Sequence, residues 1–448
     1  MPASPLDLTQ ALLGAAKAAG ADSADAIALS GTSISIDVRD GKLEQAERSE
    51  GQDIGLRVFV GQRSAIVSAS DTRPETLQTM AERAVAMAQE APEDPYAGIA
   101  DPSQLARDWD VDALELHDPS AEPAPGALQD DAQRAEAAAA AQDGITQVQS
   151  ASAGYGSSEV AISASNGFAG GYRRTSRSVS CVAIAGEGLT MERDYDGDGR
   201  VFQSELRSPE EIGLTAATRA LARMNPQKPK TGAYPVLFDE RISSSLIGHL
   251  MGAANGGAIA RGSSWLLDNL GDQVLPKGID LVENPHRPRK TASRPFDAEG
   301  LATRSRKIID DGTLTGWTLD LANARKLGLN STGNAARSVS GGVAPASWNL
   351  ELTQGSATQA ELMAQMGTGL LVTSMIGSTI NPNTGDYSRG AAGVWIENGE
   401  PAYPVSGVTI AGNLRDMLGS IIPANDARAW LTYVVPSLLV EGMTLAGE

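Results

Sequence analysis

The sequence predicts an α+β protein of several domains: an N-terminal α/β unit of hairpin strands flanked by helices, then a C-terminal domain that is mainly antiparallel β with a few helices. Three observations carry this expectation. A chain of 448 residues is too long for one ordinary core, so two or three domains are expected. Short β-branched runs separated by two-residue turns alternate with apolar stripes at helical spacing. Gly 48 against 4% aromatic residues points to many tight turns and close backbone approaches in place of an aromatic-rich core.

Taken in chain order, Ser4, Pro5 and Asp7 make a helix start, and Leu8, Leu12, Ala15 and Ala19 recur at helical spacing until Gly20. Over residues 25–70 the runs ISIDV, IGLRVFV and SAIVSA read as strands, with Asp40-Gly41 and Gly61-Gln62 as hairpin turns. Thr72 and Glu75 frame a capping box around Pro74, and Leu77, Met80, Ala84 and Ala88 line one face of the next helix. The stretches EAPEDPYAGIADPSQ and HDPSAEPAPG supply neither period and read as linkers, which sets a first domain at residues 1–117. A middle domain over 118–226 holds an Ala-rich helix, the strand patterns VQSASAGYG, EVAISAS and SVSCVAIAG, and a helix opened by a Ser208/Glu211 capping box. NPQKPKTG is a second linker, and residues 227–448 form the β-rich domain, with turns at Asp311-Gly312 and Asn398-Gly399. A long β domain of this kind must pair or cover its edges, and a partner subunit is one way to do so.

Composition narrows the function classes. Lys+Arg 36 against Asp+Glu 55 gives a formal net charge of -19, which repels a phosphate backbone and argues against nucleic acid as a partner. A cationic peptide suits it better. Cys181 is the only cysteine, which excludes an intrachain disulfide and a Cys-rich metal site and fits a reducing compartment. The first residues lack a basic segment followed by an apolar one, and no run approaches the roughly 18–20 apolar residues of a membrane span. The expectation is a cytoplasmic protein with no membrane partner.

Two motifs invite a metal. DERISSSLIGHLMGAANGG begins with Asp239 as a suitable N-cap and places Ile242, Leu246, His249, Leu250 and Ala253 on one helical face. A zinc-peptidase helix needs two imidazoles to hold the ion and a carboxylate to work on its water. Here Ala253 and Ala254 lie four and five residues beyond His249, and Ser245 and Ser244 stand at the mirrored positions. The ligand count fails, and His249 is expected in the core or at an interface. DYDGDGRVFQSE matches a calcium loop at every required place, with Asp194, Asp196, Asp198, Gly199, Val201 and Glu205 at positions one, three, five, six, eight and twelve. Yet the β pattern SVSCVAIAGEGLTM precedes it where a helix should enter, so an acidic hairpin competes with calcium binding. No nucleophile elbow and no phosphate loop occurs.

NPNTGDYSRGAAGVWIENGEPAYPVSGVTIAGN, residues 381–413, is a turn-rich, Gly-spaced β segment. Asn381, Asn383 and Asp386 favour turns, while Tyr387 and Arg389 offer an aromatic face and a fixed charge beside the strand GVWIENG. Loops held on a rigid sheet are where contacts are usually placed. These five residues, with His249, are the candidate peptide- or partner-contacting set, and Tyr387 and Arg389 are expected at the surface.

This segment closely resembles the C-terminal signature of the TldD/PmbA family, peptidase-complex proteins also called modulators of DNA gyrase. EQAERSEGQDIGLRVFVGQRSAIVSASD resembles the family's N-terminal domain, and LIGHLMGAANGGAIARGSSWLLDNLG its central helix region. The resemblance covers nearly the whole chain. The metal-bearing TldD subunit carries a His-Glu pair, a second His about one helical turn on, and a Cys near its C-terminus, and this chain has neither feature. Its ending PSLLVEGMTLAG is similar to that of the other subunit type. The resemblance therefore implies a subunit with no cofactor of its own, in a cytoplasmic heterodimer with a TldD-like chain that holds zinc and cuts unfolded peptides. The alternatives are a self-sufficient metallopeptidase, a calcium-binding structural module and, for the isolated chain, a homodimer.

Overall fold

The computed structural model describes residues 3–448. Four long helices belong to the first half: α1 (Pro5–Ala18), α2 (Pro74–Glu90), α3 (Pro125–Ala140) and α4 (Pro209–Leu221), each with Pro in its first turn. Proline suits that place because its missing N–H would have no helical partner and its φ is already set. Ser4 and Asp7 cap α1 reciprocally, and Ser208 accepts the Glu211 N–H at α4. The capping box expected at Thr72 and Glu75 does not form. Pro74 at the first helical position makes Arg73 the N-cap, one residue past Thr72, and Asp71 gathers the Arg73 guanidinium and Thr76 hydroxyl instead.

Six antiparallel strands build the first sheet: β1 (Ser23–Arg39), β2 (Lys42–Val60), β3 (Arg63–Ala69), β4 (Ile145–Ala164), β5 (Ala169–Ala185) and β6 (Glu192–Arg200), in the order β3-β2-β1-β4-β5-β6. Asp40 and Gly41 both take positive φ, as a two-residue hairpin between β1 and β2 requires. Pairing of β1 with β4, from Asp25 opposite Ala164 to Val38 opposite Ala151, joins the first two sequence segments into one sheet.

Because side chains alternate along a strand, the even-numbered apolar residues of β1 face the helices. Ala24, Ala26 and Ala28 pack under α1 and α2 with Leu12, Ile54 and Leu56, whereas Ile34, Ile36 and Val38 pack under α3 and α4 with Leu128, Cys181 and Ile212. Full burial of each such Leu or Ile contributes about 1.5–3 kcal/mol. The odd-numbered Ile27 faces the other way, joining Ile162, Tyr172 and Phe296 in a separate cluster. That second face meets the C-terminal domain.

The remaining elements, in chain order, are β7 (Gly232–Phe238), α5 (Ser244–Ala253), α6 (Gly256–Ala260), β8 (Leu281–Glu283), β9 (Arg306–Asp310), β10 (Thr313–Leu314), α7 (Leu321–Lys326), β11 (Ala335–Ala336), β12 (Ala344–Pro345) and β13 (Leu350–Leu352). Then follow α8 (Gln359–Met366), β14 (Gly369–Ile380), β15 (Asp386–Glu397), β16 (Glu400–Asn413), α9 (Leu414–Gly419), β17 (Ile422–Pro423), β18 (Tyr433–Val434) and β19 (Leu438–Ala446). Strands run β16-β15-β14-β7-β19, and pairing of β16 with β19 closes them into a barrel, with β17 added on β19. Closure leaves no free edge along the paired stretch. Only β14 and β7 are parallel within the barrel. A second sheet, β10-β9-β8-β13-β18, and the β11–β12 pair complete the domain. One core runs through barrel, α5 and second sheet, from Phe238, Leu246 and Trp395 to Leu281, Ile308 and Leu350.

The first linker is an ordered strap. Arg325 donates to the carbonyls of Tyr96, Gly98 and Ile99, and the Ala106 N–H donates to the Gly300 carbonyl. Asp239 is not the N-cap of α5. It closes the preceding turn, accepting the Arg241 N–H at 3.0 Å, and the helix starts at Ser244. Among the described residues no helix is long and apolar enough to cross a membrane.

Candidate functional site

Helix α5 buries Leu246, Ile247, Leu250 and Met251. Ser245 and His249 share another face, one turn apart, and Ser245 Oγ and His249 Nε2 are both buried without a hydrogen-bond partner among the described residues. The Tyr387 ring from β15 meets the imidazole edge-on, with centroids 6.0 Å apart. Its hydroxyl donates to Met375 Sδ at 3.2 Å, and burial pushes its pKa up to about 12. Arg389, two residues along the same strand, donates from Nε to the Gly377 carbonyl at 2.7 Å, where the β14–β15 register slips. Burial first, and the Arg389 charge second, hold the His249 pKa below its usual value. The imidazole is therefore neutral at neutral pH.

The structure thus brings His249, Tyr387 and Arg389 together and leaves the other three candidates in the β14–β15 turn. Asn381 Oδ1 accepts the N–H groups of Asn383 and Thr384. Asp386 accepts the Thr384 hydroxyl at 2.6 Å and the Asn413 amide at 3.0 Å, and these bonds lower its pKa. Asn381 and Asp386 are spent on the turn, and Asn383 enters it through its backbone N–H. Tyr387 is a correction: at 2% exposure it belongs to the main core, not the surface. Strand alternation sends it inward into the core that also holds Trp265 and Leu414, whereas the turn residues around it are polar.

The acidic motif also departs from a calcium loop. Asp194, Asp196 and Asp198 lie on one face of β6, 6%, 3% and 8% exposed. Arg207 and Arg219 grip Asp196 at 2.8 and 2.7 Å, Arg200 holds Asp198 at 3.0 Å, and Arg241 reaches Asp194 at 3.1 Å. Glu205 pairs with Arg289 at 2.6 Å. A calcium loop must wrap its carboxylates around one ion, whereas these are spread along an extended strand and neutralised one by one. Arg241 comes from the C-terminal domain, so Asp194 ties the two halves of the molecule. No sequence spacing reveals that role.

A cleft of about 640 Å³ lies between β6 and the barrel strands, walled by Arg193, Tyr195, Met375, Ile376, Ala392 and Val408. Met375 is also the acceptor of the Tyr387 hydroxyl, so the cleft adjoins the His249 cluster. Ile376 is 76% exposed there. Zinc does not fit this cluster. One imidazole, one hydroxyl and a nearby guanidinium supply neither the donor count nor the charge that the ion needs, and among the described residues no group of three or more His, Cys, Asp or Glu is placed to hold a metal. Cys181 lies under α3 and α4, its pKa pushed up to about 12 by burial.

Comparison with known proteins returns one family. The PmbA/TldA metallopeptidase C-terminal domain matches residues 231–447, domain 1 matches 24–88 and the central domain matches 117–224. A protein of Escherichia coli named metalloprotease PmbA is 39% identical over 429 residues, covering 95% of this chain and 93% of that one. A crystal structure from Bacteroides thetaiotaomicron, described as a candidate modulator of DNA gyrase, superposes with a TM-score of 0.90 at 28% identity, covering 99% of this chain and 98% of that one. TldE from Thermococcus kodakarensis shares the fold, with a TM-score of 0.86 at 20% identity over 98% of this chain and 100% of that one.

Proposed function

The chain belongs to the PmbA/TldD metallopeptidase family, and on that premise we propose that it is the metal-free, non-catalytic subunit of a cytoplasmic peptidase pair. Its partner is a TldD-like chain that carries the zinc, and the substrate is an unfolded peptide. One observation carries the reading. On α5, Ser245 stands one turn before the lone His249, with Arg389 beside it, where a peptidase helix would need a second imidazole. The contribution left to this chain is to cover the partner's strand edges, close the chamber and hold an extended peptide by strand addition.

The test is to purify the chain alone and together with a TldD-type partner, then measure zinc per chain and cleavage of an unfolded peptide. The chain alone is expected to hold no stoichiometric zinc and to cleave nothing, and the pair to hold zinc in the partner and cleave. One tightly bound zinc in the isolated chain, with peptidase activity lost in His249→Ala, would overturn the reading.

A further inference from the structure

A second cavity, of about 430 Å³, lies where the helix-free face of the first sheet meets the C-terminal domain. Ile27, Leu29, Ile162, Tyr172, Phe296 and Trp348 give it apolar walls. Arg174, Arg294 and Arg337 also line it.

Their charges are poorly answered. Arg174 donates to the Thr291 and Ser293 carbonyls and lies 4.9 Å from the Tyr172 ring. Arg294 donates to the same two carbonyls and lies 5.2 Å over Trp348. Among the described residues neither has a carboxylate within ion-pair distance. The Arg337 side chain is 1% exposed, and its ionic partner Asp25 is shared with Arg57. Arg337 Nε and Nη2 are buried with no partner among the described residues. Asp297, the one acid on the cavity wall, already accepts the N–H groups of Glu299, Leu301 and Ala335. Burial, with Arg294 nearby, lowers the Arg174 pKa to about 10, which leaves it cationic at neutral pH.

Guanidinium groups held against apolar walls with no carboxylate partner, as Arg174 and Arg294 are, call for an anion. Apolar and aromatic walls at this volume suit a ligand body of one or two residues. Arg174 also lines an adjoining groove of small polar residues, Gly31, Ser33, Ser157 and Ser176, which leaves room for extended chain. We propose that this cavity binds a carboxylate carried on an apolar body, as presented by the C-terminal residue of a peptide, with Arg294 and Arg174 receiving the carboxylate and the buried Arg337 adding positive charge behind the wall. The choice of a peptide as the source rests on the peptide-handling reading above. The carboxylate chemistry does not.

The experiment titrates the isolated full-length chain by calorimetry with a hexapeptide ending in Leu, the same peptide as its C-terminal amide, N-acetyl-leucine and inorganic phosphate. The free acid is expected to bind at least about tenfold more tightly than the amide, the loss that follows from removing a charged hydrogen-bond partner. Arg294→Ala and Arg174→Lys should each weaken the acid by a similar factor while keeping the wild-type melting temperature. N-acetyl-leucine binding as tightly as the peptide keeps the site and assigns it to a free apolar acid. Equal binding of acid and amide, phosphate binding as tightly as the acid, or undiminished affinity in folded Arg294→Ala overturns the proposal. No partner subunit is needed, so failure here with intact processing by the pair sinks the site alone, whereas zinc in the isolated chain sinks the subunit reading alone.

Discussion

At the scale of single residues, Tyr387 and His249 show how one strand position reverses an expectation. A polar turn with an aromatic at its end reads as a surface loop, but the ring is one step into the strand and faces the core. Tyr387→Ala should therefore cost about 3–5 kcal/mol, the usual price of deleting a buried aromatic. Tyr387→Phe loses only the bond to Met375 Sδ and should cost about 1 kcal/mol or less. Denaturant unfolding of the two variants separates core from surface, since a surface tyrosine would make both nearly neutral. His249 makes a pH prediction. Its folded pKa is lowered by burial and by Arg389, so below about 6.5 the unfolded chain takes a proton that the folded chain refuses. Stability then falls as pH drops through that window. His117 and His286 are shifted the same way, whereas burial raises Asp297 and Glu299 and gives them the opposite sign. The measurement is thus a difference: wild type should lose more stability than His249→Gln between pH 7.5 and 5.5, and equal losses would deny His249 a neutral folded state.

At the scale of elements, β6 explains what the sequence could and could not convey. Positions one, three and five of a calcium loop are spaced i, i+2 and i+4, which is also one face of a strand. Spacing alone cannot separate the two. What separates them is the set of partners, and Arg207, Arg219, Arg223 and Arg241 arrive from a loop, a helix and another domain. Helix starts were legible because Pro and Ser act on their own neighbours; the cap missed at α2 slipped by a single residue at Pro74, and the one missed at α5 fell on Asp239, which closes the preceding turn. Millimolar calcium should leave the melting temperature unchanged, because a site occupied in the folded state would raise it by mass action. Asp196→Asn should cost about 3 kcal/mol, since it strips two partly buried guanidinium groups of their carboxylate. A loss near zero would mean that the arginines find other partners. Close helix packing gives a further check. A Cβ on Gly213 would run into the Ala135 carbonyl on α3, so Gly213→Ala should destabilise by about 1–3 kcal/mol by overpacking, where an open helical glycine would gain. Thermal unfolding decides the sign.

At the scale of the whole molecule, the linkers that composition marks as loose are fastened, and the first sheet is shared by residues on both sides of the first one. Proline and aspartate report the lack of regular structure but not where the segment is pinned, because Arg325 lies far along the chain. The halves are joined by more than charge. Trp109, Phe168, Tyr172 and Phe296 interlock with Phe296 at the centre, its centroid 5.1, 5.0 and 5.6 Å from the other three. Edge-to-face aromatic contacts of this kind add about 0.5–1.5 kcal/mol each beyond area burial. Around them, Asp25 on β1 binds Arg337, and Arg241 binds Asp194 on β6. An interface that is both apolar and ion-paired couples the stability of its two sides, so the chain should unfold in one transition. Tryptophan fluorescence, which reports mainly from residues 265–430, and far-ultraviolet circular dichroism, which reports from both halves, should give coincident denaturation curves. Phe296→Ala removes the central ring, with an expected cost of about 3–5 kcal/mol, and should pull the two curves apart as the C-terminal barrel and the first sheet lose their common core. Separate curves in the wild type would show instead that each half holds its fold alone and that the aromatic cluster only orients them.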